Sequence, residues 1–147
     1  MTESKRTALA IERFLGPYNC AQSVFSAFAG EFGLEEATAL KIAGAFGAGI
    51  AYTGETCGAV TGALMVIGLK HGKASPEDEK AKERCNAKAR MFMDQFLARR
   101  GALQCRQLTG YDLSRPGEVQ SAKAAGIFTE RCPAFVLSAV EILEEIL

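Results

Sequence analysis

Four cysteines stand where the chain is expected to begin helices. They are Cys20 in Tyr18-Asn19-Cys20-Ala21-Gln22, Cys57 in Thr56-Cys57-Gly58-Ala59, Cys105 in Gln104-Cys105-Arg106 and Cys132 in Arg131-Cys132-Pro133. A helix start presents unpaired N–H groups and the positive end of the backbone dipole. That setting favours thiolate over thiol, and thiolate is the form that attacks, oxidises and binds metal. Neighbouring residues strengthen the expectation. Thr56 precedes Cys57 as a capping candidate, Gly58 opens the backbone after it, and Pro133 suits a first helical turn. Arg106 and Arg131 adjoin Cys105 and Cys132, and a nearby cation stabilises a thiolate. These residues point to sulfur chemistry, and their types leave its kind open.

The four cysteines lie tens of residues apart, and no CxxC pair occurs. Zinc fingers, zinc ribbons and bacterial ferredoxins bring their ligands in close pairs, so those sites are disfavoured. A single four-cysteine centre would have to be assembled by the tertiary fold, with several helix starts aimed at one end of a bundle. The plainer alternative makes all four small core hydrophobes, because free cysteine is among the most buried residue types. Core cysteines would then fall in mid-helix as often as at helix ends. Cys85 shows that contrast: it sits on the stripe Ala81, Cys85, Ala89, Phe92, Phe96, a core-facing spacing.

The elements that must hold these residues are helices. Apolar side chains recur at three- and four-residue spacing nearly throughout, which predicts an all-α, compact single-domain bundle of five or six helices over residues 1–147. A first helix through Leu9, Ile11, Phe14 and Leu15 should end at Gly16-Pro17. A second starts at the N-cap Asn19 and carries Val24, Phe25 and Phe28. Glu35-Glu36 opens a third through Leu40 and Phe46, after which Gly47, Gly49 and Gly54 break or bend the chain. A fourth runs from Thr56 to His71. The fifth begins at Ser75-Pro76-Glu77-Asp78, with serine as cap and proline in the first turn, and reaches Arg99 or Arg100. A short turn at Cys105–Leu108, a helix at Glu118–Ala125 and a last helix from Pro133 complete the reading.

Composition bounds the function. Seventeen basic and seventeen acidic residues cancel, which offers no general attraction to nucleic acid or anionic lipid. Lys80, Lys82, Arg84, Lys88 and Arg90 follow acidic Glu77, Asp78, Glu79 and Glu83, the order that suits a solvated helix. Glu12 and Arg13 interrupt the first apolar run, so no signal peptide is expected, and no stretch reaches the length that membrane insertion needs. A cytoplasmic location is the default. Structural disulfides are rare there, and clustered cysteines more often bind metal or do redox work.

Other candidate chemistry is thin. Gly54, Gly58 and Gly62 recur every four residues and Gly68 follows. Glycine inside a helix costs about 1 kcal/mol relative to alanine, so close approach of another backbone, or of a partner thiol or cluster beside Cys57, should offset it. The segment lacks the lysine of a phosphate loop, and no dinucleotide fingerprint appears. His71, the single histidine, reads as a cation capping its helix end; it stands about 21 Å along a straight helix from Cys57. Glu55, Asp112 and Glu130 flank cysteines without forming an acid–base dyad.

Cys57-Gly58-Ala59-Val60-Thr61-Gly62 resembles the CGAxxG motif of the C_GCAxxG_C_C family, whose members are described as redox-active. Cys20 before the motif and Cys105 and Cys132 after it match the family's order. Asn19-Cys20-Ala21-Gln22 resembles its first segment, and Cys85 falls outside the pattern. A similar helical segment occurs in split-Soret cytochromes, where cysteines hold an iron–sulfur centre. The resemblance therefore implies an iron–sulfur cluster or other thiophilic metal, while the lack of CxxCH leaves covalent haem unimplied.

Three readings follow. In the first, Cys20, Cys57, Cys105 and Cys132 ligate a [2Fe–2S] cluster or other thiophilic metal, with Gly58 leaving room, for electron transfer to a redox partner protein or for sensing. In the second, Cys57 is the attacking thiolate of a metal-free dithiol–disulfide cycle and another cysteine resolves it. In the third, the chain is a helical interaction module that forms a homodimer along the glycine stripe.

Overall fold

The computed structural model describes residues 3–147 and is helical, with no strand among them. Its α-helices are α1 (Glu3–Leu15), α2 (Cys20–Ala29), α3 (Glu36–Ile42), α4 (Gly58–His71), α5 (Glu79–Arg100), α6 (Cys105–Thr109), α7 (Glu118–Ala124) and α8 (Cys132–Ile146). The class is as expected, but eight helices form rather than five or six, because the short α6 and α7 close as true helical turns. A 3₁₀ turn at Gly30–Phe32 and a π-helical turn at Ile127–Arg131 extend α2 and lead into α8.

Helices α2 and α4 cross in close contact at the centre, and α1, α5 and α8 pack around them. The core is built from Val24, Phe28, Val66, Ile67, Phe92, Phe96, Val136 and Leu143, each fully or almost fully buried. Two glycines allow the crossing. A Cβ on Gly62 would lie 2.8 Å from the Ala21 carbonyl oxygen and 3.1 Å from Ala21 Cα. A Cβ on Gly58 would strike the Cys20 sulfur. Both reasons foreseen for the glycines thus operate together: backbone approach at Gly62 and room for a thiol at Gly58. The stripe itself is shorter than expected. Gly54 precedes the helix with φ +72°, and Gly68 faces open space. The buried Gly58 and Gly62 are consumed inside the chain, which removes them as a dimer seam.

Two end signals read differently in three dimensions. Helix α5 is capped by Asp78, whose side chain accepts from Ala81 N–H at 3.0 Å, while Ser75 bonds the Glu77 carboxylate instead of capping. The aspartate is the first side chain placed to reach the open amides. The Lys70 ammonium donates to the Leu147 carbonyl at 2.8 Å and Lys88 to that of Ile146, so two cations close the α8 terminus. They also gather charge around His71. Burial, then Lys70, Lys88 and Arg84, lower its pKa, and its buried Nε2 finds no partner among the described residues. This setting disfavours the cationic cap expected of His71.

Among the described residues, no helix is long and apolar enough to cross a membrane.

Candidate functional site

Each of the four cysteines opens a helix. Asn19 and Gln22 form a reciprocal capping box, with Gln22 N–H on Asn19 Oδ1 at 2.8 Å and Asn19 N–H on Gln22 Oε1 at 3.0 Å. This fixes Cys20 as the first residue of α2. Cys57 is the N-cap of α4, its own N–H donating to the Leu103 carbonyl at 2.8 Å. Cys105 begins α6 and donates its N–H to Glu55 at 2.6 Å; Cys132 begins α8 directly after the π-helical turn.

The fold brings all four to one cavity of about 290 Å³. Phe14, Tyr18, Tyr52, Phe128 and Phe135 form much of its wall, and among the described residues Lys123 is the single charged one that lines it. Cys85 does not line it and packs along the core from α5. The cysteines are free thiols. Among the described residues, no three Cys, His, Asp or Glu side chains are arranged to hold a single metal ion.

Helix starts do not act equally on the four sulfurs. Cys20 is lowered from its ordinary 9.0 to about 7, first because the Cys57 thiol donates to it, and then because the N–H groups of Ala48, Ala21 and Cys20 point at its sulfur. Cys57 is correspondingly raised well above 9.0: its proton is held by Cys20, and burial and the Cys20 charge add to this. Burial, then the Cys20 charge, push Cys105 up to about 11, against the Thr109 hydroxyl and Arg106. Burial, then the charges of Cys20 and Cys105, push Cys132 up to about 12, against Arg131. The expectation that every helix start favours thiolate therefore holds at Cys20 alone. Removal from water outweighs the neighbouring arginines at Cys105 and Cys132.

In the segment that carries Ala48 the sequence signals only a bend. Ala48, Gly49, Ile50, Ala51 and Tyr52 are all left-handed, with φ of 52°, 70°, 68°, 50° and 62°. Side chains disfavour that region by about 1–2 kcal/mol per residue. Local bonds hold it: Glu55 N–H to Gly49 O at 2.8 Å, Ala51 N–H to Ala45 O at 2.8 Å, and the Thr53 hydroxyl to Gly49 O and Ile50 O, each at 2.7 Å. Arg106 clamps the far end through Gly54 O at 3.1 Å and an ion pair with Glu55. The glycines at 47, 49 and 54 were the one sequence signal for this strap. Nothing local identified Tyr52, Phe128 or Lys123 as cavity residues.

Comparison with curated proteins and with solved structures finds no match. Residues 18–146, a span that includes all four site cysteines, match the family described as "Putative redox-active protein (C_GCAxxG_C_C)", and the chain belongs to that family.

Proposed function

We propose that this protein is a redox protein whose four helix-start cysteines hold an iron–sulfur cluster, serving electron transfer or redox sensing with a partner protein in the cytoplasm. The carrying observation is that Cys20, Cys57, Cys105 and Cys132, remote in sequence, line one cavity. The donor set suits the group: four sulfurs, no competing carboxylate or imidazole in the lining, and a largely apolar wall. In a [2Fe–2S] centre each iron takes two protein ligands, a number that these four cysteines supply. When bound, the cluster would supply one-electron chemistry. The chain's own part is to withhold water, to seat Cys20 beside Gly58, and to aim the Ala48 and Ala21 amides at its sulfur, contacts that stabilise a reduced cluster.

Anaerobic, in-cell loading tests this reading. Purified protein should contain iron and acid-labile sulfide in equal amounts, and Cys57→Ser, Cys105→Ser or Cys132→Ser should lose most of both. Stoichiometric absence of metal after such loading rules the cluster out.

A second reading rests on the nearness of Cys20 to Cys57: the Cys20 sulfur lies where a Cβ on the adjoining Gly58 would stand, and the two thiols shift each other in opposite directions. Here the two cycle between dithiol and disulfide with Cys20, rather than Cys57, as the attacking sulfur. Titration in defined redox buffers with mass mapping separates the readings: a reversible two-electron couple confined to these two cysteines supports this one.

A further inference from the structure

The sulfur atoms account for only the inner part of the cavity. Cys57, Cys105 and Cys132 are buried, whereas the opposite end is formed by residues open to solvent, with Tyr52 at 54% and Leu15 at 57% exposure. Lys123, from the last turn of α7, also stands there and is exposed. It makes no ion pair or side-chain hydrogen bond among the described residues. Its charge is therefore open to a ligand in the cavity that it lines.

We propose that the outer part of the cavity binds a small, planar aromatic anion, with its rings against Tyr52, Phe14 and Phe128 and its acidic group on Lys123. Three features set the class. The lining contains one cation and no carboxylate, in a chain whose charges otherwise balance, so the cavity discriminates by sign. Its wall is rich in aromatic rings, whose quadrupoles favour another ring at an offset or edge-on over an aliphatic group. The whole cavity, its sulfur-lined part included, is about 290 Å³, at the small end of ligand pockets, which limits the ligand to one or two fused rings and excludes a dinucleotide. The sign and the aromatic character of the lining do not depend on what the cysteines hold; the space does, so the test uses metal-free protein.

Calorimetry and protein-observed NMR with 2-naphthoate test it. The controls are 2-naphthylmethylammonium, which keeps the rings and reverses the charge, and cyclohexanecarboxylate, which keeps the acid and lacks aromaticity. Naphthoate should bind one to one with a dissociation constant of about 1 mM or tighter, the range open to a molecule of its size. Both controls should bind about tenfold more weakly. Lys123→Gln should weaken naphthoate about tenfold, and because Lys123 is exposed the variant keeps its fold. Lys123→Glu should reverse the preference between the two naphthalenes. Cys85→Ser, which lies outside the cavity, should bind naphthoate like the unaltered protein. No saturable binding, equal binding of the two oppositely charged naphthalenes, or an unchanged Lys123→Gln would each overturn the proposal.

Discussion

Cys20 and Cys132 occupy the same place in their elements, the first residue of a helix, yet one is held near 7 and the other pushed up to about 12. The difference lies in where the first amides of each helix are spent. At α2 the N–H groups of Cys20 and Ala21 remain free to face the Cys20 sulfur, and Ala48 and Cys57 bring two more donors. At α8 the preceding π-helical turn takes the Cys132 N–H onto Ile127 O, and Pro133 has none to give. At α6 the N–H groups of Cys105 and Arg106 go to the strap carbonyls of Glu55 and Gly54, at 2.6 and 3.1 Å. A helix start activates a thiol only where its amides have no other acceptor; elsewhere burial decides.

The most direct way to abolish this contrast is to take away the Cys57 thiol. In metal-free Cys57→Ala, Cys20 should lose its largest stabilising donor, and its alkylation by iodoacetamide at pH 7 should slow about tenfold or more, followed by mass mapping. Cys132→Ala should leave the same rate within about twofold. The glycines offer a second contrast. Gly58→Leu drives a side chain into Cys20, with the Ala21 nitrogen and the Phe46 carbonyl each at 3.0 Å from its Cβ, and should destabilise the fold by about 1–3 kcal/mol in urea melts. Gly68→Ala, in open space within the same helix, should stabilise it by up to about 1 kcal/mol.

Stability against pH sharpens the comparison further. Cys20 is lowered in the folded state, so its contribution is present above the unfolded value near 9 and is lost as pH falls through about 7. Cys105 and Cys132 are raised, so theirs is present below 9 and is lost as pH rises toward 11 and 12. Metal-free protein should gain stability from pH 7 to 9 and lose it above, and Cys20→Ser should lack the gain. The smallest effect belongs to Arg106→Gln. Arg106 and Glu55 are both substantially exposed, so about 0–1 kcal/mol should go, with Cys105 alkylation slowed only a few-fold.

Helix periodicity and capping are carried within a few residues, which is why α2, α4, α5 and α8 were legible with their starts nearly in place. The capping box of Asn19 and Gln22 is a four-residue property, and it sets Cys20 at the head of α2 without any tertiary contact. The left-handed strap was not legible: alanine, isoleucine and tyrosine avoid that conformation alone and adopt it because Thr53, Glu55 and Arg106 hold them there. The cap of α5 was misplaced because Ser75 and Asp78 are both competent, and only the turn between them chose.

By itself the sequence determined which residues head the helices and that four of them carry sulfur, because those choices depend on local backbone valence. Tertiary structure alone decided that the sulfurs share one cavity, that Cys20 and Cys57 are shifted in opposite directions from the same ordinary value, and that a lysine and a set of aromatic rings line it. Those outcomes depend on donors and burial supplied by segments remote along the chain, and no local pattern encodes which of two identical thiols will be reached by them.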